Sequence, residues 1–260
     1  MVQIDGWSRE SLLAQLYDWE HDAFDDDLSC YCHLAANAPG PVLEICSGSG
    51  RILAPLVDNG IAVVGVDRSP EMLARATARL GLRPGLQLVE ADVSTDDLPL
   101  GEFGLVIAAL NALGYLRSTE DQLKLLRRIG ARLLPEGRLV LDLLNVGSIV
   151  DQPQGISVLQ KSGPNEEIGA HVTKWMVQQL HWATQELSLL SFFDVTGPDG
   201  RLQRLTDETV LRFFSRFEIE LLVGQAGFTV EELSGDYDGS PFVEGSPRLI
   251  VVARASSLEQ

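Results

Sequence analysis

The sequence predicts an α/β fold in which a mostly parallel sheet is interrupted late in the chain by an antiparallel β insertion and then completed. Three observations carry this. Residues 42–67, VLEICSGSGRILAPLVDNGIAVVGVD, run from an apolar stretch (Val42, Leu43, Ile45) through a glycine-rich turn and a helix-length amphipathic segment to a second apolar stretch ending at Asp67. That order reads as strand, tight loop, helix and parallel strand. The same alternation continues to residue 145, and it breaks over 146–214, where aliphatic and aromatic runs alternate with polar residues and turn signals.

The elements follow in order. Residues 1–38 read as helical, with helix-compatible spacing over 11–17 and 28–38. The acid-rich stretch between them, with Asp25, Asp26 and Asp27, reads as a solvated linker or cap, because consecutive acids in a polar loop rarely converge on one ion. After Asp67, Ser69 is placed as an N-cap, with Pro70 at the first helical position and Glu71 in the first turn. A third strand over 86–93 carries Asp92 near its end, and a fourth, 105–108, leads into Leu110, Asn111 and the segment up to Tyr115. A helix is expected over 119–134, stopped at Pro135-Glu136-Gly137, with a fifth strand over 138–144.

Within the insertion, 174–182, 187–195 and 201–214 supply three or four antiparallel strands, with a turn at Gly197-Pro198-Asp199-Gly200. A helix over 215–227 with Gly227 as its cap, and strands over 228–233 and 248–254, return to the first sheet. The loop 235–242 between them is long enough to reach a site mouth, and 255–260 read as a tail.

Composition narrows the function. A chain of 260 residues holds one α/β domain and a modest insertion. The net charge of −17, from 37 acids and 20 bases, argues against nucleic acid, whose binders need clustered Lys and Arg. No apolar run approaches the roughly 18 residues that span a bilayer, and no basic segment precedes an apolar one at the N-terminus, so a cytoplasmic protein without membrane partners is expected. Cys30, Cys32 and Cys46 are too few for a disulfide framework, and no second ligand pair at zinc-finger spacing accompanies Cys30-Tyr31-Cys32. A metal site is therefore not expected.

The chemistry-bearing residues gather at the ends of the predicted strands. Gly48 and Gly50 permit a sharp turn and the close approach of a ligand. Asp67, at the tip of the second strand, is placed to accept from the two hydroxyls of a ribose. A dinucleotide loop reads G-x-G-x-x-G and presents a helix N-terminus to a pyrophosphate. Here the loop is Glu44-Ile45-Cys46-Ser47-Gly48-Ser49-Gly50, and an acid before the glycines suits a cation and repels a diphosphate. The ribose signal alone leaves a nicotinamide-dependent oxidoreductase open as an alternative.

This loop resembles the first motif of class I S-adenosylmethionine-dependent methyltransferases, E/D-x-G-x-G-x-G, with Cys46 where the family usually has its first glycine. The resemblance is firm over 40–145 and looser over 215–254. It implies a Rossmann-like, seven-stranded, mostly parallel sheet with an antiparallel last strand, formed by 39–145 and 215–254. An N-terminal helical cover, 1–38, and an inserted antiparallel β lid, 146–214, complete the expected organisation.

The cofactor implied is S-adenosyl-L-methionine, held by Glu44, Cys46, Ser47, Gly48 and Gly50 of the loop, by Asp67, Arg68 and Met72 around the second strand tip, and by Asp92, whose carboxylate receives the adenine amino group. The Val93 N–H meets the ring, Leu110 and Asn111 lie beside the cofactor, and Tyr17 of a Tyr-Asp pair reaches its tail or instead packs a helix. The segment 111–116 is similar to that of nucleotide-linked aminosugar N-methyltransferases, which makes Tyr115 the residue expected to face a small-molecule acceptor through nitrogen or oxygen. His181 is a second candidate base, on a strand face shared with His171, Trp175 and Gln179. Methyl transfer is an in-line displacement at an activated carbon, so alignment and proton removal are all the protein must supply. A non-methylating S-adenosylmethionine-binding protein is the other alternative, and a homodimer is an admissible assembly.

Overall fold

The computed structural model describes residues 7–256. Within them the chain divides into two compact units, one comprising Phe24–Ile149 and the segment from Phe213 on, the other the segment up to Ala23 together with Val150–Arg212. Helix α1 (Arg9–His21) belongs to the smaller unit. The larger unit then runs through α2 (Leu28–Ala36), β1 (Val42–Ile45), α3 (Leu53–Asp58), β2 (Val63–Asp67), α4 (Pro70–Leu80), β3 (Leu86–Glu90), β4 (Phe103–Ala108), α5 (Thr119–Gly130) and β5 (Leu133–Leu144). The smaller unit supplies β6 (Ser157–Asn165), β7 (Ala170–His181), β8 (Glu186–Thr196) and β9 (Leu202–Arg212), and the larger one closes with α6 (Arg216–Gln225), β10 (Phe228–Ser234) and β11 (Arg248–Ala255).

The larger unit is built on a seven-stranded sheet of order β10-β11-β5-β4-β1-β2-β3. β11 is antiparallel to both β10 and β5, and the other pairings are parallel, as the resemblance implies. β1 and β4 are buried along their whole length because they are short apolar runs covered on both faces, the usual state of central parallel strands. One face packs Leu125, Leu126 and Ile129 of α5 and Ile219 and Val223 of α6. The other packs Tyr31 of α2, Leu53 and Leu56 of α3 and Leu80 of α4. Ser69, Ser118 and Ser215 each cap a helix by accepting from a backbone N–H three residues on, at Met72, Asp121 and Glu218.

Two expectations are corrected here. The helix expected over 119–134 ends at Gly130, because Arg132 donates back to the Ile129 carbonyl and Leu133 pairs with Phe103 as the start of β5. The Pro135–Gly137 turn therefore lies inside that strand, with Glu136 at a φ of 65°. Asp27, expected in a solvated stretch, is fully buried. Gly104 has a local reason as well: a Cβ there would stand 2.4 Å from the Gly40 nitrogen, so backbone approach, not ligand chemistry, demands glycine.

The smaller unit is an antiparallel sheet of order β6-β7-β8-β9 on which α1 packs Leu12 and Leu16 against Val172, Phe193, Val195 and Leu205. Several of the polar groups buried there are paired. The Gln15 and Asn165 amides exchange hydrogen bonds of 2.8 and 2.9 Å, and the Lys174 ammonium donates to both Glu20 oxygens at 2.6 Å. On β7 the buried positions are Val172, Lys174, Gln178 and Leu180, while His171, Gln179 and His181 are exposed. Among the described residues no helix is long and apolar enough to cross a membrane.

Candidate active site

β1 is flanked by β2 on one side and β4 on the other, so chain order reverses there, and the crevice beyond the carboxyl ends of β1 and β4 is the expected ligand position in an open α/β sheet. The loop leaving β1 takes left-handed backbone at Cys46 (φ 55°), Gly48 (φ 54°) and Gly50 (φ 77°). A Cβ on Gly48 would meet nothing within 4 Å, which marks an open side, whereas one on Gly50 would come 2.9 Å from Leu80 Cδ1. Gly48 thus leaves room for a ligand, and Gly50 allows the loop to seat on α4.

Asp67 ties this loop to the tip of β2. Its Oδ2 accepts from the Gly48 N–H at 2.8 Å and its Oδ1 from the Ser69 N–H at 2.9 Å. Each carboxylate oxygen keeps a further lone pair for hydroxyl donors. Ser47 is buried, its N–H donating to the Val66 carbonyl.

Glu44 lies in the floor below. It is 3% exposed, and its Oε2 is buried without a hydrogen-bond partner. Burial pushes its carboxyl well above the usual range; Arg51 pulls it down, and Asp27 and Asp67 push it up. A buried acceptor without a donor is costly, and a cationic ligand would satisfy it.

At the next strand end, Asp92 Oδ1 accepts from the Ser94 N–H at 2.9 Å and from its hydroxyl at 2.6 Å, and these bonds hold its carboxyl below the ordinary value. Arg68, largely exposed, stands 3.9 Å from Asp92 Oδ2. Val93 has its side chain in the core, and its N–H is without an acceptor among the described residues. Met72 sits in the first turn of α4 with its N–H on Ser69 Oγ.

Residues 42–137 match the family model described as "Methyltransferase domain". The chain carries a methyltransferase domain of the class I fold. The protein YqeM of Bacillus subtilis is 24% identical over 84% of this chain and 85% of its own length. The dTDP-3-amino-3,6-dideoxy-α-D-glucopyranose N,N-dimethyltransferase of Streptomyces fradiae is 25% identical over 90% of this chain and 91% of its own. Among solved structures, the CcbJ methyltransferase of Streptomyces caelestis superposes with a TM-score of 0.76 at 24% identity, covering 96% of this chain and all of that one.

The cofactor of such a methyltransferase is S-adenosylmethionine, and the residues present suit it. The orphaned Glu44 oxygen suits an ammonium, Asp67 retains acceptor capacity for a ribose, and the Val93 N–H has no acceptor among the described residues. Glu44, Asp67 and Asp92 come together at the ends of β1, β2 and β3.

The turn after β4 reveals a residue the sequence reading missed. Leu110 (φ 46°) and Asn111 (φ 68°) are both left-handed, a conformation costly for side-chain-bearing residues. Asp142 of β5 holds them: its Oδ2 accepts from the Leu110 N–H at 2.9 Å, and its own carbonyl accepts from the Asn111 N–H at 2.9 Å. The Asn111 side-chain oxygen in turn accepts from the Leu144 N–H.

Asp142 is fully buried and also receives the Tyr31 and Tyr237 hydroxyls, each at 3.0 Å, and the Arg248 guanidinium at 2.6 Å. Burial, and then the Asp142 charge, raise both tyrosines, so they remain donors. Tyr237, from the β10–β11 loop, is thus a structural donor to Asp142. A lone Asp amid the apolar run 139–144 was the signal available. Tyr115, at the end of the turn, is 52% exposed.

Two further sequence candidates belong to the smaller unit. Tyr17 stacks on His21 within α1 with ring centroids 4.1 Å apart, and His181 ends β7, paired with Glu186.

Proposed function

We propose that this methyltransferase acts on a small-molecule acceptor, with an amine nitrogen as the preferred nucleophile, and that Tyr115 contacts it. The observation that carries the cofactor half of this reading is the buried, unpartnered Glu44 oxygen beneath a glycine loop tied to Asp67. Bound S-adenosylmethionine supplies an activated methyl carbon. The chain's own residues do the rest: Glu44 faces the ammonium, Asp67 accepts from the ribose, and Asp92 with the Val93 N–H reads the base.

Support for the acceptor comes from the Streptomyces fradiae relative, which matches almost end to end and whose substrate is a nucleotide-linked amino sugar. The left-handed turn at Leu110 and Asn111 gives the same side of the crevice a fixed wall. No base needs a strongly shifted pKa if the amine arrives unprotonated, so alignment is the main catalytic contribution.

The test is methyl transfer from S-adenosylmethionine to dTDP-3-amino-3,6-dideoxy-α-D-glucopyranose, to simple amines and to the matching 3-hydroxy sugar, read by product mass. Methylation at nitrogen is expected. Methylation confined to hydroxyl acceptors would overturn the nitrogen assignment, and turnover unaffected by Tyr115→Ala would remove Tyr115 from it.

A further inference from the structure

The loop after β3 is held by a residue that none of the considerations above assigns to the site. Arg128, on the last turn of α5, donates through Nη2 to the Val93 carbonyl and through Nη1 to the Asp96 carbonyl. Its Nε is buried without a hydrogen-bond partner, and among the described residues no carboxylate forms an ion pair with it. A half-buried cation that meets two main-chain carbonyls and no acid is a clamp on the backbone that carries them.

What it clamps is the segment proposed to read the base. Apart from the Val93 side chain in the core and exposed Arg68 at 3.9 Å from Asp92 Oδ2, the hydrogen bonds of residues 92–96 close on the segment itself. The Asp92 N–H donates to Asp96 Oδ2 at 2.8 Å, and the Thr95 and Asp96 N–H groups donate to the Asp92 carbonyl at 3.0 and 2.7 Å. Ser94 saturates Asp92 Oδ1 with two donors, which leaves Oδ2 as the outward acceptor. The Val93 side chain is anchored in the core, its carbonyl is held by Arg128, and its N–H has no acceptor among the described residues. The two carbonyls on Arg128 thus bracket the turn, and one tie from α5 sets the direction of both recognition groups.

We infer that Arg128 is a positioning residue for base recognition: by holding the Val93 and Asp96 carbonyls it keeps the Val93 N–H and Asp92 Oδ2 at the spacing that an adenine edge, acceptor beside amino donor, requires. This inference rests on the cofactor reading given above. Arg128 does not touch the cofactor; it acts through the loop. Its loss is therefore expected to erode the choice between bases more than the general affinity for the sugar and amino-acid parts.

The experiment is calorimetric titration of the full chain with S-adenosylhomocysteine and with S-inosylhomocysteine, whose 6-oxo group and N1–H invert the donor and acceptor pattern. The wild type is expected to prefer the adenine compound by about 100-fold or more, since an inverted edge leaves polar groups unpaired. Arg128→Met keeps the apolar stem and removes the donors; it is expected to cut that preference about tenfold, with Arg128→Lys between the two.

An unchanged preference in Arg128→Met, or an equal loss of both ligands, overturns the inference. If the wild type binds both compounds equally, the Asp92 and Val93 base contacts fall and the inference with them. If it binds neither, the cofactor reading itself has failed. Thermal unfolding of each variant, expected to stay near that of the wild type, distinguishes a redirected loop from an unfolded one.

Discussion

Arg51, the residue that closes the glycine loop, donates to both carboxylate oxygens of Asp27 at 2.7 and 2.6 Å, and also to the Phe24 carbonyl at 2.8 Å. Asp27 is fully buried and Arg51 nearly so, so the pair fastens the chain entering α2 to the loop leaving β1. Asp27→Ala leaves a buried guanidinium without its counter-charge, a change that costs about 3–5 kcal/mol in comparable pairs. Urea unfolding should show a midpoint lowered accordingly. In a double-mutant cycle, Asp27→Ala with Arg51→Leu should be less destabilised than the sum of the two single changes.

Asp142 gathers donors from α2, from the turn after β4, from the β10–β11 loop and from β11. Asp142→Asn removes the charge and turns an NH2 toward groups that are themselves donors. A loss of about 3 kcal/mol or more is expected, together with faster hydrogen exchange at the Leu110 amide, read by mass spectrometry. Tyr237→Phe removes one hydroxyl donor and should cost only about 1 kcal/mol.

Glu44 gives a pH prediction. Its folded carboxyl is held well above the ordinary value, chiefly by burial. The unfolded chain therefore releases this proton first, at about pH 4.3, and stability falls as pH rises from there toward the raised folded value. Glu44→Gln mimics the protonated form. It should match the wild type below about pH 4 and be the more stable protein at neutral pH, while binding S-adenosylhomocysteine more weakly because the ammonium loses its partner. Thermal midpoints taken across pH, with one titration at neutral pH, check both.

Cys46 occupies a left-handed position that glycine adopts without strain. Cys46→Gly relieves about 1 kcal/mol of backbone strain but frees the unfolded chain by roughly 0.5–1 kcal/mol. The expected outcome is a stability change under about 1 kcal/mol in either direction, with cofactor affinity retained. A large loss on calorimetric unfolding would mean that the thiol makes a contact the backbone argument omits.

What the sequence disclosed, and what it hid, follows from the range of the interactions. β1, β2 and α4 were legible because their signals are local: apolar runs, glycines, and Ser69 with Pro70 at a helix start. Asp27, Asp142 and Tyr237 were not, because their partners, Arg51, Arg248 and Asp142 in turn, lie 24, 106 and 95 positions away. β6 carries Lys161, Ser162, Gly163 and Pro164, residues that weaken a strand signal, and only pairing with β7 makes it one. The overrun of α5 to 134 came from Leu133 and Leu134, which keep helical spacing although the chain has already turned into the sheet.

The most direct measurement is calorimetric titration of the wild type and of Asp67→Ala with S-adenosylhomocysteine and, separately, with NAD. The account predicts saturable one-to-one binding of S-adenosylhomocysteine by the wild type, a loss of about tenfold or more in Asp67→Ala, and no heat from NAD. Saturable NAD binding without S-adenosylhomocysteine binding, or equal affinity in the two proteins, would contradict it.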